Sequence, residues 1–163
     1  MKKKKLTHIG QKGEARMVDV GNKPDSERFA VAVARVRVSR ELLLELQKNT
    51  LSKGDALAAA RIAGIQAAKR TADIIPLCHT IPLTSVAVDL KLRENPPLIE
   101  ITAEAHTHYK TGVEMEALTA VSVAALTIYD MGKAVDKTIT IELIQLIEKR
   151  GGRTGDWSRK NID

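Results

Sequence analysis

Ionisable side chains stand at both ends of an uncharged stretch, residues 117–129. Glu114 and Glu116 precede this stretch, and Asp130 and Lys133 follow it. Carboxyl and ammonium groups held at fixed positions can transfer protons and can stabilise charge that develops during a reaction. Each end also has a simpler interpretation. The two glutamates suit the N-terminus of a helix, and Asp130 with Lys133 suits an (i, i+3) ion pair.

His79 is a further candidate for acid–base chemistry. It lies in IIPLCHTIPL, residues 74–83, where two prolines exclude a regular helix or a central strand. Imidazole titrates near neutral pH, so His79 suits a general acid or base, and a core histidine bonded to the backbone is the alternative. The adjacent Cys78 is better explained as a small buried apolar residue than as a nucleophile. His106 and His108 lie two apart without a third spaced ligand, so no metal site is predicted.

Two lysines stand at the ends of a predicted alanine-rich helix. Lys53 precedes Gly54 at the start of this helix, where a phosphate can bind, although the GxxxxGK pattern is absent. Lys69 lies in the last turn, where a cation complements the helix dipole. A solvated lysine is the alternative at both positions. Together with the acids and His79, these cations predict a site that handles an anion with acid–base groups.

The charged groups at residues 114–116 and 130–133 are predicted to lie on one helix, residues 113–133. Val113, Leu118, Val121, Ala125 and Ile128 recur at roughly helical spacing. The uncharged part is too short for a membrane span, which needs about 20 apolar residues. Because β-branched residues weaken the intrinsic helix propensity, packing must stabilise this helix.

The remaining pattern predicts strands and helices in a recognisable order. Ser39 and Asp55 are expected N-caps. Alternating residues predict strands at 29–38, 84–92, 98–107 and 138–148, and periodic apolar residues predict helices at 40–48 and 56–70. The small residues of the second helix suit close approach of either a subunit or the core. With the short helix at 40–48 set apart, the order is βαββαβ, which predicts an α+β, ferredoxin-like antiparallel sheet with helices on one face.

Composition narrows the class of protein. At 163 residues, a single domain over 15–157 is expected, with a mobile basic tail at 1–14 and a short tail at 158–163. The formal charge is +6, and Lys2 to Lys5 account for most of it. Cys78 is the lone cysteine, and no apolar segment follows the basic start, so we expect a cytoplasmic protein with no membrane association.

Two other functional classes compete with an enzyme. A nucleic-acid-binding module fits the βαββαβ order and the pI of about 9.5. The aromatic residues are only Phe29, Tyr109, Tyr129 and Trp157, and the excess charge lies in the tail, so no nucleic-acid partner is predicted. A ligand-binding or structural oligomer without catalysis leaves the charged ends of the long helix unexplained.

Long sequence runs resemble one enzyme family. Residues 53–83, 111–137 and 151–157, with MVDV at residues 17–20, look like cyclic pyranopterin monophosphate synthases, the C proteins of early molybdenum-cofactor biosynthesis. The resemblance covers almost everything after the lysine tail. It implies conversion of 3′,8-cyclo-7,8-dihydro-GTP to cyclic pyranopterin monophosphate with release of pyrophosphate, without a cofactor. It also implies a ferredoxin-like fold and a homohexamer built as a trimer of dimers.

The resemblance also assigns residues. Those implied in catalysis are Asp130, Lys133, Lys53 and His79. Those implied in substrate binding are Leu77, Cys78, His79, Met115, Glu116, Glu114, Lys69, Arg28 and Arg153. The chain departs from the family at Thr80, where proline is usual, at Gly132 in place of cysteine, and at Arg153 in place of lysine. Arginine keeps the charge at 153 but changes its geometry.

The length of the predicted helix raises a geometric problem. Glu116 and Lys133 are 17 positions apart, which at about 1.5 Å per residue is roughly 25 Å. One small pocket does not span that distance. Either another element of the same chain bridges it, or a second subunit brings its Asp130–Lys133 end to the Glu114–Glu116 end of the first. We predict the second arrangement, which a twofold dimer produces twice.

Overall fold

A computed structural model describes residues 14–153 and 155–160. Most of the predicted N-terminal tail (1–13) and the end of the predicted C-terminal tail (161–163) lie outside the described residues. Within the described part, no helix has the length and apolar character that crossing a membrane requires.

The elements follow the predicted order with two additions. The strands are β1 (Ser26–Arg37), β2 (Ser85–Glu94), β3 (Pro97–Tyr109), β4 (Thr140–Arg150) and β5 (Trp157–Ser158). The helices are α1 (Arg40–Lys48), α2 (Ala56–Lys69), α3 (Thr71–Ile74) and α4 (Glu114–Gly132). The sheet order is β2-β3-β1-β4-β5, and every pairing is antiparallel. The first four strands have the ferredoxin-like arrangement, so the predicted fold class is confirmed.

Small residues bring α2 and α4 close to the sheet and to each other. Ala30, Ala32 and Ala34 of β1 are fully buried under the helices. A Cβ added at Gly64 of α2 would lie 2.9 Å from the carbonyl oxygen of Ala120 in α4. Real Cβ atoms do not approach carbonyl oxygens so closely, so glycine permits this helix–helix contact. The small residues on this face of α2 therefore serve the core of the same chain.

The expected caps are present at two helices. The hydroxyl of Ser39 accepts a hydrogen bond from the Leu42 N–H at 3.1 Å, and the Asp55 carboxylate accepts one from the Ala58 N–H at 2.9 Å. These caps satisfy donors that the first turn leaves unpaired. Asn49 ends α1 in the left-handed conformation, with φ 53°.

Several predicted bounds were wrong for local reasons. The helix predicted at 56–70 stops at Lys69, because Arg70 has a non-helical φ of −117°, and the single-turn α3 follows. The strand predicted at 138–148 is not the last, because Trp157–Ser158 pairs with β4 across the predicted tail boundary. These elements are too short to leave a periodic pattern in the sequence.

Candidate active site

A cavity of about 340 Å³ lies at the N-terminal end of α4. Residues 18–23, the loop between α3 and β2, and the first turn of α4 enclose it. It brings together six of the residues assigned from sequence, which are Leu77, Cys78, His79, Glu114, Met115 and Glu116. We call it the acid–base cavity.

The ring of His79 is held by the segment before β1. Its Nε2 lies 2.7 Å from the carbonyl oxygen of Val18. A carbonyl oxygen only accepts, so Nε2 carries the proton, and the neutral ring then has an unprotonated Nδ1. His79 therefore combines the two interpretations left open from sequence: it is bonded to backbone and still has a nitrogen that can accept a proton. The MVDV run, residues 17–20, therefore has a structural role: its Val18 carbonyl oxygen holds the His79 ring. The sequence analysis did not predict this contact.

Glu116 lies in the first turn of α4, where an acidic side chain is usually exposed to solvent. Its side chain is buried, with 3% of the residue exposed, and its Oε2 has no hydrogen-bond partner among the described residues. Burial raises the pKa of Glu116 from 4.5 to about 7, the Glu116 backbone N–H opposes the rise, and the charge of Glu114 adds to it. The carboxyl is therefore partly protonated near neutral pH, as a proton donor or acceptor must be.

Cys78 lines the same cavity as a protonated thiol. Partial burial raises the pKa of the Cys78 thiol from its usual value of 9.0, and the charge of Glu116 adds a smaller rise. Because the thiolate is the nucleophile, this environment disfavours covalent catalysis by Cys78. The geometry supports the interpretation of Cys78 as an apolar lining residue.

A second, cationic pocket of about 190 Å³ adjoins the acid–base cavity, and both are lined by Lys23, Thr111, Gly112 and Glu114. It contains Arg28 and Arg153, two of the assigned substrate-binding residues. It also contains cations that the sequence analysis missed, namely Lys23, Lys110, Lys149 and Arg150. The Lys149 ammonium lies 3.4 Å from Glu114 Oε1.

The register of the sheet explains why the sequence does not reveal these cations. Antiparallel pairing places Phe29 opposite Arg150 and Ala30 opposite Lys149, so residues about 120 positions apart become neighbours. Lys110 directly follows β3, and Lys23 lies in the turn before β1. No run of basic residues marks this pocket in the sequence, and only the strand pairing assembles it.

Asp130, Lys133 and Lys53 form a third cluster, at the C-terminal end of α4. The Lys133 ammonium is 2.7 Å from Asp130 Oδ1, and the Lys53 ammonium is 3.0 Å from Oδ2. Lys53 also donates to the Asp130 carbonyl oxygen at 2.7 Å, which satisfies an acceptor at the helix end. Hydrogen bonds from Lys133 and then Lys53 lower the pKa of Asp130, and the Asp130 carboxylate raises the pKa of Lys133.

The structure does not bring all the assigned residues together. Glu116 and Asp130 are 14 positions apart on α4, or roughly 21 Å along a helix. The Asp130 cluster therefore lies far from the acid–base cavity of the same chain. Lys69 lines neither the acid–base cavity nor the cationic pocket. It borders a groove of about 460 Å³ formed by the end of α2 and the start of β2.

The side chains of these sites are not arranged as the ligands of a metal ion. Across residues 14–153 and 155–160, no three side chains of the histidine, cysteine, aspartate and glutamate types converge in an arrangement that can hold an ion. The polar groups of the site are instead a titratable carboxyl, an imidazole and cations. Such groups suit proton transfer and anion binding.

The fold and the site define an enzyme of the α+β class. Its acid–base cavity lies beside a cationic pocket, and this combination suits a small anionic substrate. The sequence profile of the MoaC family matches residues 17–152, and the chain belongs to this family.

Curated relatives agree with this assignment. A cyclic pyranopterin monophosphate synthase of Thermomicrobium roseum is 57% identical over 156 residues, covering 96% of this chain and 94% of the relative. The enzyme of the same name from Brucella ovis is 54% identical over 154 residues, covering 94% and 93%. That of Peptoclostridium acidaminophilum is 53% identical over 157 residues, covering 96% and 99%.

Proposed function

We propose that this chain is a cyclic pyranopterin monophosphate synthase of molybdenum-cofactor biosynthesis. It converts 3′,8-cyclo-7,8-dihydro-GTP to cyclic pyranopterin monophosphate and releases pyrophosphate, without a bound cofactor. The observation that carries the proposal is the acid–base cavity, where the buried carboxyl of Glu116, with a pKa of about 7, lines the same space as His79. The full-length similarity to enzymes of that name supports it.

The chemistry matches the groups available. Rearranging the purine-derived ring requires proton transfers, for which the Glu116 carboxyl, with its pKa of about 7, and the His79 imidazole are suitable groups. In the cyclisation, a ribose hydroxyl oxygen forms a bond to the α-phosphorus as the bond from that phosphorus to the pyrophosphate oxygen breaks. The hydroxyl proton must go to a base, and pyrophosphate leaves with the bonding electrons. Cations that stabilise this developing charge contribute most to such a step.

The Asp130 cluster supplies a different kind of group. Asp130 is ionised and bonded to two ammonium groups, so it can orient Lys53 and Lys133 or accept a proton from substrate. We assign catalytic roles to Asp130, Lys133 and Lys53 as well as to His79. Leu77, Cys78 and Met115 line the acid–base cavity and serve substrate binding.

We further propose that each complete site uses two chains. The separation of roughly 21 Å between Glu116 and Asp130 along α4 supports this, because one small substrate cannot reach both ends. A twofold dimer with neighbouring α4 helices antiparallel would bring one cluster to each acid–base cavity. Assembly of three such dimers into a hexamer, and a cytoplasmic location, follow the family resemblance.

The direct test is incubation with the cyclised GTP derivative, followed by separate assays for pyrophosphate and for the pterin product. We expect both products in equal amounts. Pyrophosphate without the pterin would indicate a hydrolase, and the absence of both from folded protein would overturn the proposal.

A further inference from the structure

We propose that Asp136 is a positioning residue for the cluster of Asp130, Lys133 and Lys53. Its carboxylate fastens the chain that follows α4 to the start of α1, and this connection holds the two ammonium groups against the Asp130 carboxylate. The catalytic use of the cluster rests on the proposed function. The geometry of the cluster does not, and it can be measured without turnover.

Asp136 is a buried acid whose hydrogen-bond partners are neutral groups. Only 5% of the residue is exposed. Its Oδ2 accepts a hydrogen bond from the Ser39 N–H at 2.6 Å, and its Oδ1 accepts bonds from the N–H and the hydroxyl of Thr138, both at 2.7 Å. Burial raises the pKa of Asp136, but these hydrogen bonds outweigh burial and hold the pKa below 3.8. Asp136 is therefore an anion near neutral pH, bonded on both oxygens.

The bond to Ser39 fixes the start of α1 from outside that helix. Ser39 is the N-cap of α1. In a capping box, the N–H of the cap residue is bonded by a glutamate or glutamine at the third helical residue. That position is Leu42, which has an apolar side chain, so Asp136 supplies the carboxylate from 97 positions away. Its negative charge also suits the N-terminus of a helix.

The two helices that Asp136 connects are also in direct contact. Leu42, in the first turn of α1, packs so closely on Gly132 at the end of α4 that a Cβ added to Gly132 would lie 2.7 Å from Leu42 Cδ2. After Gly132 the chain turns tightly, because the N–H groups of Val135 and Asp136 both bond the Gly132 carbonyl oxygen, at 2.9 and 3.0 Å. The Asp136 side chain then joins this turn to α1.

The cluster depends on this connection because it joins two parts of the chain. Asp130 and Lys133 lie at the end of α4, whereas Lys53 lies between α1 and α2. The Lys53 ammonium bonds both Asp130 Oδ2, at 3.0 Å, and the Asp130 carbonyl oxygen, at 2.7 Å. Displacement of α1 relative to α4 would lengthen these bonds, which weaken steeply with distance. Fraying of the last turn of α4 would likewise separate Lys133 from Asp130.

The test compares Asp136→Ala with Ser39→Ala in the full-length protein. Asp136→Ala removes the connection between the two helices. Ser39→Ala is the matched control, because it removes the hydroxyl that caps α1 but keeps the Ser39 N–H that bonds Asp136. Both changes act at the N-terminus of α1, so both should lower the melting temperature. A purely structural role of Asp136 therefore predicts the same behaviour for the two variants in every other measurement.

The first measurement is the rate at which an amine-reactive reagent acylates Lys133, followed by mass spectrometry at about pH 9. The hydrogen bond from Lys133 to Asp130 raises the pKa of this lysine, which keeps it protonated and slow to react. We expect Asp136→Ala to accelerate its labelling at least ~3-fold, which corresponds to about half a pKa unit. Ser39→Ala should leave the rate unchanged. Lys110, beside the acid–base cavity, is the internal reference, since global unfolding would expose both lysines.

The second measurement is turnover of the cyclised GTP derivative. Asp136→Ala should lower kcat at least ~10-fold, within the range that a misplacement of about 1 Å can cause, and should leave KM within about threefold of wild type. Ser39→Ala should keep kcat within about twofold. Asp136→Asn should lie between Asp136→Ala and wild type, because both carboxylate oxygens accept from N–H groups and an amide has only one oxygen.

A folded Asp136→Ala protein with wild-type labelling of Lys133 or wild-type kcat would overturn the proposal. So would a Ser39→Ala protein that matches Asp136→Ala in both measurements, because loss of α1 stability alone would then explain them. If Asp136→Ala does not fold, Asp136→Asn replaces it, with effects expected in the same direction. Faster labelling of Lys133 in Asp136→Ala, beside a wild-type protein that does not convert the cyclised GTP derivative, would refute the proposed function alone.

Discussion

The two ends of α4 present the same functional group in opposite states. At the N-terminal end, the Glu116 carboxyl is buried, one of its oxygens has no partner among the described residues, and its pKa is raised to about 7. At the C-terminal end, the Asp130 carboxyl is largely exposed, bonds two ammonium groups, and has a lowered pKa. Desolvation favours the neutral acid and nearby cations favour the anion.

The difference in pKa suits the two ends of α4 to different chemical roles. Near neutral pH, Glu116 exchanges a proton readily, so it suits a general acid or base. Asp130 stays ionised over the same range and keeps Lys133 protonated, so that end supplies fixed charge. A site that combines one end from each of two chains would therefore contain both a proton carrier and an electrostatic clamp.

The largest effect is expected from Glu116→Gln. The pKa of Glu116 rises on folding from 4.5 to about 7, so the folded state binds the proton more tightly, and wild-type stability falls as pH rises from 4.5 through 7. Above pH 7 the charged Glu116 lowers the free energy of unfolding of the wild type by about 3 kcal/mol, at 1.36 kcal/mol per pKa unit. Glutamine has no charge to bury, so the variant should exceed wild type in unfolding free energy by about that amount at pH 8 and match it at pH 4.5.

Urea unfolding at the two pH values measures this difference. Glu114→Gln is the matched control, because Glu114 is only partly buried and pairs with Lys149, and it should show no such gain at pH 8. A Glu116→Gln protein no more stable than wild type at pH 8 would show that Glu116 is solvated. If Glu116 transfers protons as proposed, the stabilised variant should also lose most of its turnover, because removing a buried acid from a site gains stability at the cost of activity.

At the other end, Asp130→Asn and Lys133→Ala should each reduce turnover at least ~100-fold, the scale of lost acid–base or charge stabilisation. Both side chains are exposed, with 58% and 52% of their surface accessible, so the melting temperature should hardly change. Steady-state kinetics beside thermal unfolding separates the two effects. Near-full activity in either folded variant would remove that residue from the catalytic group.

Much of the fold was accessible from sequence because it depends on local chemistry. Ser39 and Asp55 cap their helices as their types and positions predict. The raised pKa of Glu116 was not accessible, since an acid in a first helical turn is usually solvated, and its burial is seen only in the folded chain. The cationic pocket was hidden for another reason: Arg28 and Lys149 become neighbours only through the register of β1 and β4.

The two-chain arrangement is tested by mixing. Glu116→Ala and Asp130→Ala proteins, each inactive alone, are unfolded together and refolded. If the two residues come from different chains, each mixed dimer has one intact site and one doubly damaged site. Random pairing makes about half the dimers mixed, so roughly a quarter of wild-type activity should return. Recovery of no activity, with correct refolding of each variant alone, would show that both residues serve one chain's site.

The smallest effect is expected at Cys78, which shares the acid–base cavity with Glu116 and His79. Its raised pKa keeps it as a thiol, so Cys78→Ala should leave kcat within about threefold of wild type. KM should rise severalfold at most, because Cys78 lines the cavity and its proposed role is only to contact the substrate. Alkylation of the wild-type thiol should be slow at pH 7.5 and should accelerate as pH rises past 9. A loss of kcat as large as that expected for Asp130→Asn would instead make Cys78 the nucleophile and move the chemistry of this end from proton transfer to covalent catalysis.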